Sequence, residues 1–262
     1  MPWSIRNARV RVRVRVRRTI QLHLISLCLP LGVVVAQERQ VHEPTGPLPS
    51  AAHVFAAHAA AVGPLEGRTS LLLRGTITGA GVPDGSRFER YLDRAGRYLH
   101  VIRSGTTIVS AEGWSGDTAF RIVNGQRLRM TPGTVAAIRE HAIAFAGVHP
   151  SVIAAGATTI EWSDFNDRWH AKVLVTLRPG DARHELYDLE TGLLAASIRD
   201  RGTDADGRKY ARMFVWKTYR AFDGAKIPTV ITELDGKSEW RMRVDSVQWN
   251  APAPALDGRV QP

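Results

Sequence analysis

The sequence predicts a mainly β protein of the α+β class: an antiparallel meander whose curved sheet carries two or more helices over its open side. Three observations lead there. Apolar and polar residues alternate with a period of two along most of the chain, turn residues recur between these segments, and only two stretches have helical character.

The elements follow in order. A helix is expected over about Ser50 to Val62, with Ser50 as N-cap, an alanine-rich body and Gly63-Pro64 as the stop. Strands are expected at 68–78, 86–93, 97–103, 106–112 and 118–129. A second helix is read from Pro132 to Ala146, capped by Thr131, opened by proline and ended by Gly147, with Val135, Ile138, Ala142 and Phe145 on one face. Strands resume at 157–162, 168–178, 182–190, 193–200, 208–222, 226–235 and 237–249. Their connections carry Pro83-Asp84-Gly85, Asp206-Gly207, Asp223-Gly224 and Asp235-Gly236, turns in which glycine supplies positive φ. In "RWHAKVLVTL" and "SEWRMRVDS" apolar residues fall on alternate positions, so each strand has one wet side. A long sheet of such strands must close or be covered. No internal repeat is evident.

The N-terminus is different. Arg6, Arg9, Arg11, Arg13, Arg15, Arg17 and Arg18 precede an apolar run from Ile20 to Ala36 that ends in Val34-Val35-Ala36. A basic region, an apolar region and a small-residue cleavage site describe a secretory signal peptide. A membrane anchor fits less well, because a span needs about 20 apolar residues and Pro30 and Gly32 interrupt this shorter run. An arginine ladder can also bind phosphate, but before an apolar run its simplest role is to hold the cytoplasmic side during export. The chain is thus divided into a signal peptide at 1–36, a flexible lead-in at 37–49, a folded domain at 50–250 and a C-terminal tail at 251–262. The formal charge of +10 falls to +3 without those seven arginines (10 − 7), which removes most of the case for a nucleic-acid partner. Cys28 lies inside the leader, so the mature chain would hold no cysteine.

Several segments look familiar: a helix leading into "LLLRGTIT", then "SAEGWSGDTAFRI", "HELYDLETGLLAASIRD" and "YRAFDGAKIPTVI". Over about residues 50 to 249 the chain resembles the periplasmic lipoprotein carriers of the LolA/LolB type. The resemblance implies an incompletely closed β-barrel capped by helices, whose apolar interior holds acyl chains. Arg74 is the candidate for the arginine that pins the lid in such carriers. The sequence departs at Cys28, where Leu27 replaces the small residue of a lipobox, which argues against a membrane-anchored acceptor.

The residues that would line such a cavity are Leu71, Leu73, Phe120, Ile122, Trp169, Val173, Val175, Phe214, Trp216, Trp240 and Met242, with Ile138 and Phe145 from the lid. Arg74, Arg212 and Arg220 are candidate cations at its rim. The bland reading is a filled core, since small barrels fill their interiors with side chains. Catalytic chemistry finds little footing. Gly113-Trp114-Ser115-Gly116 is one residue short of a nucleophile elbow and lies between two strands. The histidines lack metal-ligand spacing, "SDFND" and "TDADG" read as turns, and no cofactor motif occurs. The expectation is therefore a non-enzymatic, monomeric periplasmic carrier for a lipid or acylated protein ligand, with transient membrane contact, no metal, no cofactor and no nucleic acid. The alternative is an envelope interaction or stress-sensor domain that binds a protein partner on the same fold.

Overall fold

The computed structural model describes residues 44–115, 118–131, 134, 135, 138, 156–178, 181–203 and 209–254. The signal-peptide assignment, Phe145 and most of the expected second helix lie outside the described residues. Of that helix, Thr134, Val135 and Ile138 are described, and they are helical.

One helix and thirteen strands make up the described elements. They are α1 (Ala51–Val62), β1 (Ser70–Gly79), β2 (Arg87–Asp93), β3 (Tyr98–Ser104), β4 (Thr107–Ser115), β5 (Thr118–Val123), β6 (Gln126–Arg127), β7 (Gly156–Asp164), β8 (Trp169–Arg178), β9 (Asp181–Asp188), β10 (Leu194–Thr203), β11 (Lys209–Phe222), β12 (Ala225–Asp235) and β13 (Ser238–Trp249). All thirteen strands belong to one antiparallel sheet, ordered β6-β5-β4-β3-β2-β1-β13-β12-β11-β10-β9-β8-β7. The chain starts mid-sheet, runs out to the β6 edge, crosses to the β7 edge, and returns until β13 pairs with β1. The sheet does not close, as expected, but the described residues contain a single helix element where two or more were expected.

One strand boundary differs. The segment expected as a single strand at 118–129 turns at Asn124-Gly125, with φ of 49° and 76°, so β5 and β6 form a hairpin. Asparagine and glycine tolerate positive φ at both central positions of a two-residue turn, which β-branched residues do not.

Helix α1 forms as its caps dictate. Ser50 accepts from the His53 amide at 3.2 Å, and the Gly63 amide closes the last turn on the Ala59 carbonyl at 3.0 Å. The helix buries Val54, Phe55, His58 and Val62 on one face of the sheet, against Val173, Val175, Tyr187 and Leu194 at one end and Leu65 and Ala225 at the other. This side is called the helix face below.

Two sequence motifs seat the helix. In "YDLETGLL", Asp188 Oδ1 accepts from the amides of Glu190 and Thr191 and from the Thr191 hydroxyl at 2.8–3.0 Å, which fixes the turn. A Cβ at Gly192 would stand 3.0 Å from the Ala57 carbonyl oxygen, so the helix backbone rides directly on that turn. His58 Nδ1 and the Gly192 carbonyl oxygen are 3.1 Å apart. In "YRAFDGAKIPT", the Asp223-Gly224 turn meets the helix end at Gly63, and Trp249 Nε1 donates to the Phe222 carbonyl at 3.2 Å.

The opposite face is covered in part by the chain's own end. Ala251 to Pro254 leave the ladder, as their prolines require, yet Ala251 is buried with Tyr91, Leu99, Val101, Ala111 and Phe120. Ser70 Oγ donates to the Ala251 carbonyl at 2.7 Å and holds the tail there.

Candidate functional site

Cross-strand register determines which side chains meet. On the helix face, Arg90 of β2, His100 of β3, Glu112 of β4 and Arg121 of β5 stand directly opposite one another in sequence. Each is in phase with apolar neighbours on its strand, Phe88, Ile102, Trp114 and Val123 respectively. On β11 and β12 of the same face lie Arg212, Glu233 and Asp235. Together with Ile77, Ile102, Ile138, Trp240 and Met242 these residues line a cavity of about 670 Å³.

The cavity has an apolar wall and an ionisable belt. Arg212 Nε donates to Glu233 Oε1 at 2.8 Å, and its guanidinium lies 5.0 Å over the Phe214 ring. The Arg90 guanidinium donates from Nε to His100 Nδ1 at 3.0 Å and from Nη2 to Met242 Sδ at 3.3 Å. Tyr98, fully buried, donates to Glu112 Oε1 at 3.0 Å. Burial pushes its phenol well above the usual range, and the Glu112 charge adds to the effect. Arg121 Nε sits 3.9 Å from Glu112 Oε2, is itself buried, and makes no hydrogen bond among the described residues. Three arginines face three carboxylates around the cavity, so the belt is balanced rather than an anion trap.

A second ionic group lies under α1. Glu185, fully buried, accepts from Arg183 Nε at 2.8 Å and from the Tyr187 hydroxyl at 2.5 Å. Tyr187 also takes the edges of Phe55 and His58, at centroid distances of 5.8 and 5.2 Å. Its phenol, too, is pushed well above the usual range by burial and then by Glu185. The carboxylate is satisfied, and the group ties helix to sheet.

The twelve cavity candidates among the described residues disperse. Ile138, Trp240 and Met242 line the cavity. Leu71 and Leu73 are in the core beneath it, with Phe214 and Trp216 packed against that core and against each other at 6.1 Å. Val173 and Val175 form a separate core under α1, and Trp169 is half-buried at the start of β8. Phe120 and Ile122 are on the opposite face, where Ala251 joins Tyr91, Leu99, Val101 and Ala111 in a core of its own. Among the rim cations, Arg212 lines the cavity. Arg74 points away from it and pairs with Glu89 at 3.6 Å on the opposite face, while Arg220 is exposed near the end of β11.

Sequence reasoning passed over Arg90, His100, Glu112, Arg121, Glu233 and Asp235. Their signal was a polar residue in phase with the apolar residues of its own strand, as His100 is with Tyr98 and Ile102. Ser115 ends β4 and pairs with Thr118, so it occupies a hairpin and not a strand-turn-helix. No group of three or more His, Cys, Asp or Glu side chains is disposed to hold a metal among the described residues.

No protein-family model and no curated protein matches the sequence. Solved structures do. The chain superposes on a LolA superfamily protein from Nitrosomonas europaea with a TM-score of 0.51 at 10% identity, over 78% of this chain and 96% of that one. A DUF1329 family protein from Desulfovibrio piger gives 0.51 at 9% identity, over 78% and 94%. At such identities the likeness shows the fold. The chain is structurally similar to the LolA superfamily.

Proposed function

We propose that this protein is an exported binding protein or carrier for one small amphiphile, a lipid or acylated ligand, held in the cavity on the helix face. The observation that carries the reading is the cavity's division into an apolar wall and an ionisable belt. Its volume of about 670 Å³ falls in the range of about 300–1,000 Å³ usual for a single small ligand. Ile77, Ile102, Ile138 and Met242 would hold the chain, and the belt would hold the head group. The buried Arg121 Nε, with no hydrogen bond among the described residues, is the donor a head-group oxygen would satisfy. The LolA-superfamily fold adds support, since that superfamily takes its name from lipoprotein carriers. The arginine-rich leader supports delivery to the periplasm.

A second reading, protein recognition, is favoured by one feature: β7 is an edge strand that pairs only with β8 among the described residues, and such an edge can accept an added strand.

The test is uptake of a fluorescent single-chain acyl probe. Ile102→Trp fills the cavity and is expected to weaken uptake by about tenfold or more, corresponding to at least about 1.4 kcal/mol, with unchanged far-UV circular dichroism. Arg121→Met should weaken it as well. Unchanged affinity in both folded variants would remove the cavity from the function and leave the β7 edge as the site to examine.

A further inference from the structure

The face opposite the helix carries a row of cations that the cavity does not use. Arg87 of β2 stands opposite Arg103 of β3 on one side and Thr76 of β1 on the other. Thr76 is opposite Arg243 of β13, Arg243 opposite Val230 of β12, and Val230 opposite Lys217 of β11. One line of register thus crosses six neighbouring strands, and at about 4.8 Å between strands it spans about 24 Å. Arg241 adds a further exposed cation two residues from Arg243 on the same face.

Acids on this face are few. Asp245 pairs with Arg87 at 3.1 Å and Glu89 with Arg74, while Glu239 lies beyond Arg241 at the start of β13. Among the described residues, no carboxylate pairs with Arg241, Arg243 or Lys217, all three of which are exposed. Two arginines directly opposite each other, as at Arg87 and Arg103, oppose sheet formation. Val230, between Arg243 and Lys217 in the register, is only 8% exposed, while both cations are exposed.

We propose that this row is a docking surface for an anionic lipid bilayer. A line of about 24 Å exceeds the screening length at physiological salt, so it reads an extended charged surface rather than one small anion. The row offers threonine and valine between its cations and no aromatic ring, and so lacks the stacking platform that single-stranded nucleic acid uses. The choice of a bilayer over duplex nucleic acid rests on the proposed function, since a carrier of amphiphiles exchanges its cargo at membranes.

The experiment uses the mature chain recovered from the periplasm, without the arginine-rich leader, after organic extraction and refolding verified by circular dichroism. Co-sedimentation is measured with phosphatidylcholine vesicles, alone and mixed with phosphatidylglycerol. Binding is expected only to the mixed vesicles and should weaken as salt rises. Each cation near an anionic surface contributes roughly fivefold to partitioning, so Arg243→Gln with Lys217→Gln should lose about 25-fold. Arg127→Gln with Arg129→Gln, an equal change of net charge at the β6 edge, should lose little. Three results would overturn the proposal: no binding to mixed vesicles, equal losses in the two double variants, or equal binding to neutral vesicles. Preference for duplex DNA over the mixed vesicles in competition would overturn it also. Because ligand-free protein is used, failure of vesicle binding is distinguishable from failure of acyl uptake, and the competition with duplex DNA tests the choice of a bilayer without reference to the cavity.

Discussion

Removing Glu233 isolates what the belt costs. Arg212 is 9% exposed, and its guanidinium makes two donations to Glu233 besides its contact with Phe214. In Glu233→Ala the guanidinium stays buried beside Asp235 with its closest counter-charge gone. Breaking a buried pair from one side costs about 3–5 kcal/mol, and the retained Phe214 contact places this case near 3 kcal/mol. With a urea m-value of about 3 kcal/mol/M, that is a fall of about 1 M in the unfolding midpoint at constant m. Replacing both partners tells a different story. Arg212→Met with Glu233→Leu removes one charge of each sign together, and exchange of a buried ion pair for apolar residues of similar volume is close to neutral. The double variant should therefore recover to within about 1 kcal/mol of the parent, yet lose the polar side of the cavity and with it the preference for ligands that have a head group. A single variant as stable as the parent, or a double variant as unstable as the single one, would refute the assignment of Arg212 and Glu233 as a buried, mutually dependent pair.

Two further outcomes follow from the seat of the helix and from the far face. Gly192→Ala places a Cβ 3.0 Å from the Ala57 carbonyl oxygen at a residue with φ of 69°, so it should cost about 2 kcal/mol, read as a lower urea midpoint with loss of near-UV signal from the Tyr187 environment. His170 is buried, and desolvation lowers its pKa below the usual 6.5, more than its hydrogen bond to the Arg168 carbonyl and the Asp188 charge raise it. The unfolded chain then binds the proton first, so stability should fall as pH drops through about 6.5 and level off below the folded pKa. His170→Asn should flatten that part of the pH profile, and an unchanged slope would assign the effect to other groups.

Much of the sheet was legible in the sequence because period-two patterning and Asp-Gly turns are local signals. Twelve strand segments were expected, and they correspond to thirteen strands once the Asn124-Gly125 hairpin divides one of them. The Ser50 cap and the Gly63-Pro64 stop located α1 within a residue. The cavity was less legible, for a reason seen in "TAFRIV". Phe120 and Ile122 form one phase of β5 and Arg121 the other, and an apolar phase is naturally assigned to an interior. Here the apolar phase faces a core made by Ala251 and the strands beside it, while Arg121 points into the cavity. Which face a residue segment 130 positions away will cover is a long-range fact that local alternation cannot encode. The same applies to Arg90, His100 and Glu112. Each is a lone polar residue in an apolar phase of its strand, and only the register that stacks them into one row makes them a belt.

The measurement that bears most directly on the central claim is the content of the cavity in protein taken from a cell. The chain is produced in a Gram-negative host and recovered from the periplasm, its N-terminus is sequenced, and an organic extract is analysed by mass spectrometry. The account predicts a mature chain beginning at Gln37 that carries one amphiphile per molecule, released or reduced in Ile102→Trp. A folded protein that carries no amphiphile and takes up none when offered would contradict it.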